Sequence, residues 1–147
     1  VIRSIERSIR RYSGRARSKG LRIDFRLHVL SMNLLLHRAA FEQATHNLLD
    51  NALNYTDTGC IFISTSEDAE YLRIDIQDTG RGILREFIER AFHPFSQEDE
   101  GYSRSHEGLG LGLSLVQRYL ELSGASITVD SKIGEGSTFS VFIPTRR

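Results

Sequence analysis

The chain is predicted to adopt an α+β fold, a two-layer sandwich in which three main helices cover one face of a mixed, largely antiparallel sheet of about five strands. Three observations point there. Stretches of helical and of strand periodicity are mixed along the chain, with no internal repeat or low-complexity tract. The later strand stretches come in neighbouring pairs joined by short polar turns, which is the pattern of antiparallel hairpins. Finally, 147 residues, 39% hydrophobic and 26% charged, suffice for one compact core and are too few for two, so residues 1–147 are read as a single domain.

Residues 1–18 alternate apolar and basic positions and predict an amphipathic helix ending near Lys19-Gly20; a linker from a preceding domain is the other reading of this segment. Residues 21–27 alternate cleanly and predict a half-buried strand. A helix follows over about 38–55, turning Phe41, Ala44, Leu48 and Ala52 toward a core. Thr58-Gly59 interrupts it, residues 61–65 open a strand, and residues 71–77 supply its antiparallel partner. A short helix is expected over 84–91. The stretch 93–107 is polar and aperiodic, with aromatics only at Phe95 and Tyr102, and a long loop of that kind inside a compact domain is usually functional. Helix resumes near Gly112 and ends near Gly124. Strands over 126–131 and 137–144 close the fold, joined by Lys132-Ile133-Gly134-Glu135-Gly136.

Composition excludes several classes of function. The formal charge is zero, which argues against nucleic acid as a main partner. No apolar run approaches a membrane span and no signal peptide is visible, so direct membrane contact by this chain is not expected. The chain begins at Val1 without methionine, which suits a piece of something longer. One cysteine, Cys60, excludes an internal disulfide and a Cys-rich metal site, and is compatible with a reducing cytoplasm. Lysine occurs only at positions 19 and 132, neither of them in a glycine-rich motif, so the chain has no P-loop. Charge is nevertheless uneven: residues 1–26 hold eight arginines and Lys19 against Glu6 and Asp24, a solvated helix or a basic docking surface.

The chemistry is concentrated in three segments. Asn47, Asn51 and Asn54 fall within about 60° of one another on the 38–55 helix, opposite Leu48, Leu49, Ala52 and Leu53. Asparagine is a poor residue for a helix interior, and a merely solvated face would more naturally carry Glu, Lys, Gln or Arg. Its neutral carbonyl and amide suit a hydrated hard cation and phosphate oxygens. Asp78-Thr79-Gly80-Arg81-Gly82-Ile83 follows directly on a strand. Its glycines allow close approach to the backbone, and its carboxylate can accept from an exocyclic amine such as that of adenine. An ordinary Asp-capped turn is the alternative. Gly108-Leu109-Gly110-Leu111-Gly112-Leu113-Ser114 opens a helix whose N-terminus can bind phosphate, or else hinges a flexible lid. Its glycine spacing differs from the dinucleotide pattern, and no strand immediately precedes it.

With Phe92-His93-Pro94-Phe95 between the second and third, these segments occur in an order that resembles the N, G1, F and G2 boxes of the ATP-binding catalytic domain of sensor histidine kinases. That domain belongs with DNA gyrase, heat-shock chaperones and mismatch-repair ATPases, and its sandwich is the Bergerat fold. The resemblance covers about residues 20–144. It implies that Asn51 is a Mg²⁺ ligand, that Asn47 lies near the phosphates of ATP, and that Asn54 and Tyr55 lie beside the nucleotide. It implies that Asp78 reads the adenine amine, in a pocket shaped by Gly80 and Gly82 and lined by Ile83. Residues 93–107 look like a mobile ATP lid, with Gly108, Gly110 and Gly112 as its phosphate-side hinge, and Phe95, Leu109, Leu111 and Leu113 are implied to join these glycines in binding ATP. Thr138 resembles a threonine that supports the aspartate.

The hydrolytic relatives place a glutamate at the position of Asn47 to activate water. Asparagine cannot act as that base, which favours passing the γ-phosphate to an acceptor. The family's usual lysine three residues after the Mg²⁺ asparagine is Asn54 here. Arg104 in the lid is the candidate for the missing positive charge, with Arg85 the weaker one. None of His28, His37, His46, His93 and His106 has the helical context of the phosphoacceptor. The resemblance therefore implies a catalytic domain separated from its dimerisation domain. The expected partners are that domain and the receiver domain of a response regulator. The chain itself would be a monomeric cytoplasmic domain, of a parent either membrane-anchored or soluble. An anti-sigma-type serine kinase and a degenerate pseudokinase that binds ATP or docks are the alternatives.

Overall fold

The computed structural model describes residues 1–28, 34, 36–92 and 112–145. In chain order its elements are α1 (Ile2–Ser18), β1 (Arg22–Arg26), α2 (Arg38–Tyr55), β2 (Cys60–Glu67), β3 (Tyr71–Asp78), α3 (Arg85–Ala91), α4 (Leu113–Glu121), β4 (Ser126–Lys132) and β5 (Gly136–Pro144). The strands form one mixed sheet in the order β1-β2-β3-β5-β4. β1 lies parallel to β2, and every other pairing is antiparallel. The expected α+β two-layer sandwich is the fold observed.

Strand alternation decides which side chains reach the helices. The register aligns Ile63 with Ile76, Ile76 with Phe139 and Phe139 with Val129, so one apolar row crosses the sheet from β2 to β4. Ile61, Ile63, Leu72, Ile74, Ile76, Phe139, Val141 and Ile143 are all buried on this face. From the helix layer, α2 adds Phe41, Ala44, Leu48, Leu49, Ala52 and Leu53, and α4 adds Leu113, Val116 and Leu120. Residues on the other face, such as Arg73, Asp75 and Ser140, form a polar hydrogen-bonded group instead. β1 departs from expectation. Its alternation predicted a half-buried strand, yet Phe25 is 55% exposed, because β1 is the sheet's edge and α1 covers only part of it.

α1 packs Ile5, Ile9 and Ala16 into the core. It ends where sequence placed the end: Gly20 takes φ +74°, and Leu21 N–H reaches back to the Ala16 carbonyl at 2.8 Å, which together make a Schellman stop. Its arginines face α2 one turn at a time. Arg7 pairs with Glu42 at 2.7 Å, Arg11 meets His46 Nδ1 at 3.5 Å, and Arg15 pairs with Asp50. Exposed pairs of this kind contribute little each, so the buried apolar side carries the attachment. α2 has no basic residue in its last turn. Its terminal carbonyls are bonded from other elements: Lys19 Nζ donates to Leu53 O, Arg81 Nη2 to Asn54 O at 3.0 Å, and Arg81 N–H to Tyr55 O at 3.1 Å.

Phe139 is 1% exposed at the centre of the apolar row. Phe139→Ala is expected to cost about 3–5 kcal/mol of unfolding free energy, whereas Arg7→Ala should cost less than about 1 kcal/mol. Urea titration of both variants checks the contrast.

Candidate functional site

The site assembles where three chain segments meet: the C-terminal end of α2, the turn after β3, and the β4–β5 strand ends. Asp78 is its centre. It is the last residue of β3, opposite Ser137 of β5 and Ile61 of β2, and it points to the helix side of the sheet with only 2% exposure. Its Oδ1 accepts from Gly80 N–H at 3.0 Å and from Ser137 N–H at 3.2 Å. Its Oδ2 is buried and has no hydrogen-bond partner. Burial pushes the carboxyl above the ordinary aspartate value, while the two N–H donors pull the other way without cancelling it. An acceptor so placed can receive a neutral N–H donor from outside the chain.

The glycines shape the approach to it. A Cβ on Gly80 would collide with the Tyr55 carbonyl, so α2 can end directly against the turn only because position 80 has no side chain. Gly82 takes φ +77° and lies against the Lys132 carbonyl. Ile83, 5% exposed, donates its N–H to Ser131 Oγ at 2.7 Å, and Ser131 Oγ lies 2.7 Å from Ser137 Oγ. The turn is thus fastened to both α2 and the β4–β5 hairpin.

The asparagine face has a more divided geometry than its helical spacing implied. Asn51 is buried at 2% exposure, and Asn47 is half-buried, its Oδ1 accepting from Gln43 Nε2 at 3.4 Å. Asn54 turns its Oδ1 to Arg15 of α1. Tyr55 is buried with the Arg81 guanidinium 5.1 Å above its ring. Gly112 caps α4 in a left-handed conformation at φ +57°, and Leu113 sits in the core, 0% exposed. Arg85 points along exposed α3 to Glu89 at 3.3 Å. Phe95, Arg104, Gly108, Leu109, Gly110, Leu111 and the whole stretch 93–107 lie outside the described residues.

Thr138 requires a correction. Sequence assigned it the support of Asp78, but its register partners are Gln77 and Asp130, and alternation puts its side chain on the opposite face of the sheet. Ser137 is the residue that stands across from Asp78 and bonds it. The signal was present one residue away: Phe139 had to be core, and a core residue at 139 places 137, not 138, on the inner face. Ser131 was also missed, since a lone serine in a hairpin carries no distinguishing pattern.

A buried, half-satisfied carboxylate at a strand end, backed by a polar helix and approached over glycine, is set in a two-layer α+β sandwich. The comparisons agree. Residues 37–147 match the model of the histidine kinase-, DNA gyrase B- and HSP90-like ATPase family, and the chain belongs to that family. Sensor histidine kinase RcsC of Escherichia coli K12 is 43% identical over 103 residues, 70% of this chain and 11% of that protein. An uncharacterised sensor-like histidine kinase of Rhizobium meliloti is 35% identical over 90% of this chain and 26% of its own length. The chain therefore spans only a fraction of these relatives. Among solved structures, full-length ShkA in complex with AMPPNP superposes with a TM-score of 0.79 at 26% identity, over 97% of this chain and 29% of that one. The catalytic domain of histidine kinase ThkA shares the fold at a TM-score of 0.81 and 23% identity, covering 98% of this chain and 91% of its own. The relatives named are sensor histidine kinases, and nucleotide use follows from the family to which the chain belongs.

Asp78 also gives the apo-domain a pH signature. A carboxyl whose folded pKa is raised holds its proton more tightly when folded, so its ionisation costs stability as pH rises through that value. Asp78→Asn removes that cost. The variant's stability relative to wild type should increase from pH 4 to pH 7 in urea titrations, and a constant difference across that range would contradict the assignment.

Proposed function

We propose that this domain binds Mg²⁺–ATP between α2, the Asp78 turn and the start of α4, and donates the γ-phosphate to a histidine on a dimerisation domain outside this chain. A response-regulator receiver domain would then take the phosphoryl group. One observation carries the reading. Asp78 Oδ2 is a buried acceptor with no partner, held in place through its sister oxygen by two backbone donors, at the mouth of a glycine turn. Oδ1 serves the fold through those two bonds, whereas Oδ2 bonds nothing among the described residues, and its burial disfavours the charge. The exocyclic amine of adenine is a donor of the required kind.

Each residue's contribution follows from its chemistry. Asp78 orients the base, Ile83 and Tyr55 give it apolar walls, and Gly80 and Gly82 let it approach the backbone. Asn47 and Asn51 offer neutral amide oxygens to the metal and the phosphates, and Asn51 is the residue that would hold Mg²⁺. Bound there, the ion would neutralise phosphate charge and orient the terminal phosphoryl group. Neither asparagine can deprotonate water, so the arrangement favours transfer over hydrolysis. Catalysis would consist of positioning and charge stabilisation.

The lack of a lysine at position 54 keeps a degenerate, binding-only reading in view. Arg15 lessens its force: it brings a guanidinium from α1 to Asn54 Oδ1, so positive charge is present at that position, shared with Asp50.

Calorimetric titration with a non-hydrolysable ATP analogue tests the site. Wild type should bind in a Mg²⁺-dependent manner. Asp78→Asn should bind about 10- to 100-fold more weakly, the loss of one hydrogen bond to a charged acceptor. Asn51→Ala should lose the Mg²⁺ dependence. Phosphotransfer to an added dimerisation domain then separates an active kinase from a binding module.

A further inference from the structure

Among the described residues, two buried side-chain polar atoms have no hydrogen-bond partner: Asp78 Oδ2 and Thr56 Oγ1. The second is unexplained by any role given above. Thr56 is 0% exposed and is the residue on which α2 ends, with an extended backbone at φ −115° and ψ 115°. A buried hydroxyl left unpaired costs about 1–3 kcal/mol, and native folds retain few of them. Valine has nearly the same shape and carries no such cost.

The two orphan atoms belong to segments fastened to each other. Tyr55 O, immediately before Thr56, accepts from Arg81 N–H at 3.1 Å and lies against Gly80. Gly80 N–H in turn holds Asp78 Oδ1 at 3.0 Å. On the far side of Thr56, Thr79 Oγ1 meets Thr58 O at 3.4 Å and receives Cys60 N–H at 3.1 Å. Residues 55–60 and 78–81 therefore run as one stitched unit, with Thr56 and Asp78 both buried in it.

We propose that Thr56 is a second base-reading residue: with Asp78 it recognises the amidine edge of an aminopurine, Asp78 Oδ2 accepting from the exocyclic amine and the Thr56 hydroxyl donating to the adjacent ring nitrogen, directly or through one water. This rests on the nucleotide reading above and specifies how the base is chosen. An acceptor beside a donor is the complement of adenine's N6–H and N1. Guanine presents the reverse pattern, a carbonyl oxygen beside an N–H, and would set two acceptors against each other at Asp78.

The test is a binding cycle on the intact domain, using wild type, Thr56→Val and Thr56→Ser. Each is titrated with ATP, with 1-deaza-ATP, which lacks the N1 acceptor, and with purine riboside triphosphate, which lacks the amine. Wild type should bind 1-deaza-ATP about 3- to 10-fold more weakly than ATP. Thr56→Val should bind ATP that much more weakly and no longer distinguish it from 1-deaza-ATP, while still penalising the missing amine as wild type does. Thr56→Ser should behave as wild type, and urea titration should find Thr56→Val at least as stable as wild type. The proposal is overturned if Thr56→Val keeps the wild-type preference for ATP over 1-deaza-ATP. It is equally overturned if the valine variant loses stability, which would make the hydroxyl a structural bond. If wild type binds none of the three nucleotides, the nucleotide reading itself fails, and this inference with it.

Discussion

A carboxylate buried at the end of β3 sets the terms for everything around it. Taking Asp78 out of water is unfavourable, and the fold offsets only part of that cost with two backbone donors on a single oxygen. Those two donors fix more than the side chain. The Gly80 bond closes the turn after β3, and the Ser137 bond ties that turn to β5, whose register then places Phe139 in the core row. Because Gly80 has no side chain, the end of α2 seats against the same turn through Tyr55 O. One unfavourable burial thus fixes the mutual position of the sheet, the helix and the hairpin. Forgoing stability at one atom is the usual relation between stability and function at a binding site, and the proposed nucleotide would supply the bond that Oδ2 lacks.

The remaining polar architecture serves α2. This helix carries a run of residues that favour caps and turns over helix interiors, with asparagine at 47, 51 and 54 and aspartate at 50. Its own sequence supplies no basic residue for its last turn. Lys19 and Arg81 bond its final carbonyls, and Arg15 holds Asp50 and Asn54. A helix face given over to asparagine cannot also carry the long charged side chains that would stabilise it, so neighbouring elements do so.

Most of the fold could be read from the sequence because period and punctuation agreed. Alternation at 71–77 and 126–131 gave strands, and glycine at 20 and 124 marked helix ends that the structure closes in left-handed conformations. Sequence reading failed where the deciding fact was tertiary. Phe25 alternates correctly, yet it lies at an edge that the helices do not fully cover. Thr138 differs from Ser137 only in parity, and parity is set by cross-strand partners. The three asparagines share a helical face, but α1 draws Asn54 toward Arg15 while Asn51 is buried. Spacing along a helix gives the angle of a side chain and says nothing of what stands opposite.

That last case bears on where the working domain begins. The family match starts at residue 37, which leaves α1 and β1 outside it, whereas the likeness to ShkA covers 97% of this chain. The structure explains why both boundaries arise. Residues 37–147 hold the asparagines, the aspartate and the glycines, which are the features a sequence model can recognise. α1 contributes only common residue types: Ile5 and Ile9 in the core, and arginines at helical spacing along α2. Yet without it the core would lose Ile5, Ile9 and Ala16, Leu53 O would lose the lysine just beyond α1, and Asp50 and Asn54 would lose their shared guanidinium. Recognition and integrity are therefore carried by different parts of the chain. The segment with the least distinctive sequence is the one that holds the asparagine-bearing helix in place.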